Sequence, residues 1–398
     1  MKVSGFLLAV CCVATQGVDA GVGIWANYQK DAAHTGYVDV HTNSDQFRTV
    51  WTREFSHEGD RYVKSTTQAV TTDHLLYITL EDTSKPIHTS SIYAFDPQTG
   101  KTVWQTVVDE SSSVSGPVYG NGRIYVTLLR GRYDDGQGFV EAFDAETGTK
   151  LYSKPLSLVW HDTYQEPVIY DDHLYVAKTG RQYSVNAVTG DVEWLVEEGD
   201  RNRLITATDR YLIRTHEAGI DLVDRITGDN RTFIQGIDTS FDWNLSAPIW
   251  DEKNDAVYAV LTPDISEHGE GWIPTVLVAI DVNERSVKWK LEMPAIFQPA
   301  LADNKLYFAS DSKVYEVDAL TGKVNWLWQS PTKAEDVLVT QDHIFVTAYA
   351  DKTYALSRTG HEIVWEFAED GYMSADANHL YIVSRGKIDV RIWAIALH

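Results

Sequence analysis

Two interleaved repeats, the lack of helical periodicity between them, and a pattern split across the chain ends predict an all-β fold. The expected architecture is an eight-bladed β-propeller of four-stranded antiparallel blades, closed by the N-terminal strand pairing with the C-terminal blade. The first repeat reads Ala-x-Asp-x-x-Thr-Gly-x-x-x-Trp. It is clearest at Ala94, Asp96, Thr99, Gly100 and Trp104. It recurs at Ala142, Asp144, Thr147, Gly148 and Tyr152, and at Ser184, Asn186, Thr189, Gly190 and Trp194. A weaker copy has Asp224, Thr227, Gly228 and Thr232; the next keeps Ala279, Asp281 and Trp289 but carries Glu284-Arg285 in place of Thr-Gly. Two more follow, at Asp318, Thr321, Gly322 and Trp326, and at Ala355, Thr359, Gly360 and Trp365, the last with its Gly one place early.

The second repeat is a turn residue followed by Leu-Tyr or an equivalent pair. It occurs at Leu76-Tyr77, Ile124-Tyr125, Leu174-Tyr175, Tyr211-Leu212, Val257-Tyr258, Leu306-Tyr307, Ile344-Phe345 and Leu380-Tyr381. One unit shows the physics. Ser91 to Phe95 alternates as a strand, Asp96 to Gly100 turns the chain, and Thr102 to Thr106 forms an outer strand. Asp accepts hydrogen bonds from turn amides, and Gly takes a positive φ without steric cost. Trp104 is then free to lie over the neighbouring unit. A lone four-stranded sheet cannot bury both faces, so units stack into a ring. Seven steps of about 45 residues separate Trp51 from Trp365, a typical blade length. Trp51 has the setting of an outer strand without inner strands before it, and Ile392-Trp393-Ala394-Ile395 that of a third strand without a fourth.

The organisation expected is therefore a signal at 1–20, an N-terminal segment at 21–46, and the propeller at 47–398. Lys2, the apolar run Phe6 to Ala14 and Val18-Asp19-Ala20 have the order of an export signal. Both cysteines, Cys11 and Cys12, fall inside it, and neither follows a small residue as a lipidated Cys would. The expected mature chain is a monomer, periplasmic or secreted, without lipid anchor, transmembrane segment, disulfide or thiolate metal site. The 398 residues carry 34 Lys+Arg against 57 Asp+Glu, a net charge of −23. That balance argues against nucleic acid as a partner, since backbone phosphates are held by clustered cations.

The Ala-x-Asp-x-x-Thr-Gly-x-x-x-Trp units resemble the tryptophan-docking repeats of pyrroloquinoline-quinone-type β-propellers. The segment Trp25-Ala26-Asn27-Tyr28-Gln29-Lys30-Asp31, with His34-Thr35-Gly36-Tyr37, is similar to the start of secreted members. The resemblance covers about 25–398 and implies one of two activities. One branch is the alcohol and glucose dehydrogenases that use pyrroloquinoline quinone (PQQ) with calcium. The other is non-catalytic and includes the propeller subunit of the outer-membrane β-barrel assembly machinery. Many dehydrogenases of this type carry an adjacent-cysteine disulfide, and here the only adjacent cysteines are in the signal. The expected function is a non-catalytic binding or interaction scaffold in the cell envelope, without catalytic residues, metal or cofactor. Its partner would be an unidentified protein or a small polar ligand. The alternatives are a PQQ- and calcium-dependent oxidoreductase of alcohols or sugars, and a carbohydrate-binding propeller.

Candidate channel-facing groups, taken just before each Leu-Tyr strand, are Lys64, Glu166, Arg203, Asn244, Gln298 and Asp336. A recognition surface is expected where loops joining strands two and three meet the inter-blade loops. Three of the former are long (Glu81 to Ser90, Arg130 to Gly138, Pro263 to Pro274), and the latter carry Trp160, His161, Tyr164, Phe241 and Trp243. His74, His173, His343 and His379 share one repeat position, which spreads them round the ring as turn residues. Asp134-Asp135-Gly136 lacks the acidic spacing of a calcium loop. Asp264, Glu267, His268 and Glu270 form a polar cluster with no assigned chemistry. No Gly-x-Ser-x-Gly, phosphate loop or His-Glu-x-x-His motif occurs.

Overall fold

The structure, a computed structural model, describes residues 24–55, 63–64, 67–82, 89–108, 111–131, 136–156, 166–178, 181–197, 204–216, 219–229, 231–235, 246–261, 274–385 and 389–398. These residues form eight antiparallel sheets of four or five strands. Their inner strands contain Val70–Thr71, Val118–Gly120, Val168–Tyr170, Ile205–Ala207, Ile249–Asp251, Ala300–Ala302, Ala334–Val339 and Gly371–Ala375, which number blades one to eight. In the first blade, Leu76–Asp82, Thr89–Phe95 and Thr102–Val108 follow outward in chain order. The eighth blade ends its own chain run at Val390–Ala396. Its outer strand is Arg48–Phe55, paired antiparallel with Thr52 opposite Trp393. The N-terminal strand thus closes the ring, as the split pattern predicts.

The first repeat is a lock between blades. Asp96 Oδ1 accepts from the amides of Gln98 and Thr99 at 2.8 and 3.0 Å, and the turn closes at Gly100 with φ +65°. Trp51 of the preceding blade packs on that Gly and donates from Nε1 to Pro97 O at 2.7 Å. A Cβ on Gly100 would stand 2.6 Å from the indole, so Gly is required for space as well as for φ. Trp104 over Gly148 and Trp289 over Gly322 repeat the arrangement, and Tyr152 takes the same place over Gly190. Trp104, Trp194 and Trp289 donate to Ala145, Arg225 and Ala319 carbonyls at 2.8, 3.2 and 2.9 Å. In blade seven the positive φ falls on His361 instead of Gly360, and Trp326 stacks on that imidazole at 4.4 Å.

The core is accordingly divided into eight apolar clusters, one in each seam between neighbouring blades. Burial within the seams is what holds separate sheets together. Two sequence readings need correction. Tyr211 pairs with Asp224, so Leu212-Ile213, not Tyr211-Leu212, fills the Leu-Tyr position of blade four. Tyr211 instead opens the strand, one place before the motif pair, and carries Arg210 over its ring. His173, His343 and His379 do share a register position, opposite Asn186, Ser357 and Ala396. His74 lies one residue earlier, because Leu76 pairs with Phe95; it contacts Asp73 and Glu146 in the turn.

Candidate functional site

The N-terminal segment crosses one end of the ring and touches every blade in order. Thr71 of blade one exchanges backbone hydrogen bonds with Trp25, at 3.2 and 2.9 Å. Tyr119 N of blade two donates to Ala26 O at 2.8 Å, and Ile169 N of blade three to Asn27 Oδ1 at 2.9 Å. Ala207, Trp250 and Leu301, in blades four to six, donate to the carbonyls of Ala32, Ala33 and Thr35 at 3.0, 3.1 and 2.7 Å. Val38 donates to Val339 O of blade seven at 2.9 Å, and Asn43 to Leu397 O beyond the last strand of blade eight at 2.9 Å. The strap therefore satisfies inner-strand amides that would otherwise face the channel mouth.

Its compactness comes from local chemistry. Gln29, Lys30, His34 and Gly36 have φ of +53°, +80°, +57° and +60°, and Asp31 holds the turn by accepting from Thr35 N and Oγ1 at 3.1 and 2.6 Å. His34 is fully buried, with its ring nitrogens 2.7 Å from the carbonyls of Tyr28 and Ile205. Burial holds the imidazole pKa below its usual value, against the two carbonyls that favour a charged ring.

Two residues before the inner-strand partner of each motif Tyr lies a ring of equivalent positions: Gln68, Gly116, Glu166, Leu204, Ala247, Gln298, Asp336 and Tyr372. Gln68 Oε1 accepts from Trp25 Nε1 and Gln29 N, both at 3.2 Å. Gln29 Nε2 reaches Asp336 at 3.4 Å across the ring, while its own Oε1 is buried without a partner among the described residues. Asp336 accepts from Val337 N and Met373 N at 3.1 and 3.2 Å, yet burial raises its carboxyl pKa. Burial likewise raises Glu166, which keeps part of its surface open. Tyr28 is pushed well above the phenol range by burial, then by the charges of Asp336 and Glu166. Arg385 acts on the same cluster, lies 4.4 Å over the Tyr372 ring and is ion-paired to Glu335. Among the described residues this interior therefore holds two carboxyls, Glu166 and Asp336, whose charged form burial disfavours.

Outside the strap, at the same end, lies a cavity of about 670 Å³. Its floor is Ala26, Ala32, Ala33, Ile169 and Leu301, and Tyr119, Tyr170 and Trp250 stand in its walls. Asp171, Asp209 and Glu252 come from turns between first and second strands, Asp251 from the end of the strand Ile249–Asp251, and Lys30 and Asp31 from the strap.

Of the sequence-derived candidates, Glu166, Gln298 and Asp336 occupy the ring of equivalent positions. Lys64 lies in the strand Val63–Lys64, opposite Glu81. Trp160, His161, Tyr164, Arg203, Phe241, Trp243 and Asn244 fall outside the described residues, as do most of the three long loops, Asp134-Asp135 and the Asp264 to Glu270 cluster. The cavity is at the opposite end from the recognition surface expected. Its one sequence signal is an aromatic just before a polar turn, in Tyr119-Gly120-Asn121, Tyr170-Asp171-Asp172 and Trp250-Asp251-Glu252.

Comparison with known proteins places this geometry in a family. BamB from Moraxella catarrhalis superposes with a TM-score of 0.62 at 15% identity, covering 87% of this chain and 97% of that one. A europium-containing methanol dehydrogenase gives 0.65 at 12% identity, covering 94% and 98%. The quinohemoprotein alcohol dehydrogenase of Comamonas testosteroni gives 0.56 at 11%, covering 96% and 81%. At these identities the likeness is one of fold alone. No curated protein matches the chain in sequence. A family profile described as outer membrane protein assembly factor BamB matches residues 88–327, well over half of the chain. The chain therefore belongs to that family of quinoprotein-type repeat propellers.

Proposed function

We propose that this protein is an exported, non-catalytic propeller that serves as an interaction scaffold in the cell envelope, with outer-membrane protein assembly as its setting. The observation that carries this reading is the strap. The chain closes one end of its own channel with residues 25–43, bonded to all eight blades. The family profile supports the same assignment. Among the described residues, no helix is long and apolar enough to cross a membrane, in keeping with a protein exported whole.

The runner-up activity requires PQQ, a tricarboxylate, with calcium. Its carboxylates need converging cations. The described channel groups offer the reverse: Glu166 and Asp336 are carboxyls already strained by burial, and Arg385 is committed to Glu335. Among the described residues that donor set does not fit the cofactor. The test has two arms. Thermal melting of the mature protein with PQQ, with and without calcium, should give no calcium-dependent rise; affinity capture from envelopes should co-isolate β-barrel assembly components. A saturable, calcium-dependent rise with turnover of alcohols or aldoses would replace the scaffold reading with an enzyme.

A further inference from the structure

The cavity on the strap face has walls, a floor and a rim of three different chemistries. Its floor is apolar and made largely of small residues, Ala26, Ala32 and Ala33 of the strap, beside Ile169 and Leu301. Trp250 and Tyr170 are only half-buried, so their rings are partly open. Three of the rim carboxylates are occupied within the protein. Asp171 pairs with Arg225 at 2.7 Å, Asp251 accepts from Asn254 and Tyr258 at 2.8 and 3.2 Å, and Asp31 holds Thr35 and Lys30. Asp209 and Glu252 differ. Both are exposed, and among the described residues neither side chain has a hydrogen-bond or ion-pair partner. They come from neighbouring blades, and both charges act on the Tyr170 hydroxyl, whose pKa is raised first by burial. Two carboxylates without a partner among the described residues thus line the same cavity as Tyr170 and Trp250. The Tyr170 ring already takes a cation on one face, with Arg225 Cζ 4.8 Å from its centroid. Among the described residues of the lining the one ammonium, Lys30, pairs with Asp31 at 3.3 Å, so the charge balance there is acidic.

We propose that this cavity binds an organic cation with an apolar body, its head between Asp209, Glu252 and the Tyr170 and Trp250 rings and its body on the alanine floor. Aromatic faces and carboxylates together favour ammonium and guanidinium groups over neutral isosteres. The volume accommodates a small free cation or the side chain and neighbours of a basic peptide. The inference stands apart from the scaffold reading, since neither needs the other.

The experiment is calorimetric titration of the mature chain with choline chloride, with its neutral isostere 3,3-dimethylbutan-1-ol, and with the peptide Ala-Lys-Ala. At least one cation should bind, and the neutral compound should bind about tenfold more weakly or not at all. The double substitution Asp209→Asn with Glu252→Gln should weaken the cation about tenfold and leave the melting temperature unchanged, because both groups are exposed and unpaired. Trp250→Phe keeps a ring in the wall and should retain binding. Choline binding alone identifies a free small molecule as the source, and peptide binding alone a protein side chain; either upholds the site. Equal affinity for choline and the neutral isostere, no binding of either cation at millimolar concentration, or an unchanged affinity in the double variant would overturn it.

Discussion

The seam between blades five and six and the seam between blades four and five solve the same packing problem differently. In the first, Trp289 covers Gly322, bonds to Ala319 O and stacks with Tyr258 at 6.0 Å. In the second, Thr232 stands at the Trp position and Glu284-Arg285 replaces Thr-Gly. The cluster there consists of buried Ile, Leu, Val and Ala, with Tyr211, Trp250 and Val287 at its edge. Yet the turn itself persists: Glu284 N donates to Asp281 Oδ1 at 2.9 Å, and Arg285 adopts φ +52°. The Asp therefore builds the turn, and the residue at its positive-φ position answers to what lies on it: Gly under Trp51, Trp104, Trp194 and Trp289, and a stacking imidazole, His361, under Trp326. Where the indole is missing, the Gly is dispensable, and the two halves of the lock are absent together.

The strongest test of that division removes the indole. Trp289→Ala should cost about 2 to 3 kcal/mol, below the range for a fully buried aromatic because the ring is half-buried, and frees a carbonyl at Ala319. Thr232→Ala, at the equivalent place in the unlocked seam, should cost less than about 0.5 kcal/mol. Denaturant unfolding of both variants measures the gap. Similar losses at the two sites would mean that the seams are equivalent and that the lock is ornamental.

A smaller effect separates φ from space. Gly322→Ala places a Cβ 2.7 Å from Trp289 at a φ of +71°, so strain and overpacking combine to about 2 to 3 kcal/mol. Combining it with Trp289→Ala removes the clash and leaves only the backbone term. The double variant should therefore be more stable than the sum of the single losses by about 1 kcal/mol or more. Strict additivity would show that Gly322 serves the backbone alone.

The lock was legible because its parts are side chains at fixed spacing: Asp96, Gly100 and Trp104 state the turn, the φ and the cover within nine positions. Glu166, Gln298 and Asp336 were found by the same periodic logic, since equivalent positions in each blade face the same way. Arg203 misses the ring by one residue and Asn244 by three; blade five carries the longer turn that includes Glu252–Asn254. The strap was not legible. Its contacts run mostly between backbone atoms of residues 25–43 and inner strands, and backbone pairing leaves no residue signature. The cavity inherits that difficulty, because its floor exists only once the strap is in place.

The smallest predicted effect is also the sharpest, because its sign differs between two sites. Arg285 and His361 both hold a positive φ, +52° and +65°, at the place where other blades use Gly. Replacing either by Gly relieves about 1 kcal/mol of left-handed strain and costs part of that in unfolded-chain entropy. At Arg285 no indole lies over the turn, so Arg285→Gly should stabilise by about 0.5 kcal/mol. At His361 the imidazole is itself the surface on which Trp326 stacks, so His361→Gly also forfeits an aromatic contact of about 1 kcal/mol and should destabilise. Paired denaturation midpoints decide it. Opposite signs mean that each turn residue is chosen by what the neighbouring blade lays upon it, whereas a shared sign would return the choice to the turn alone.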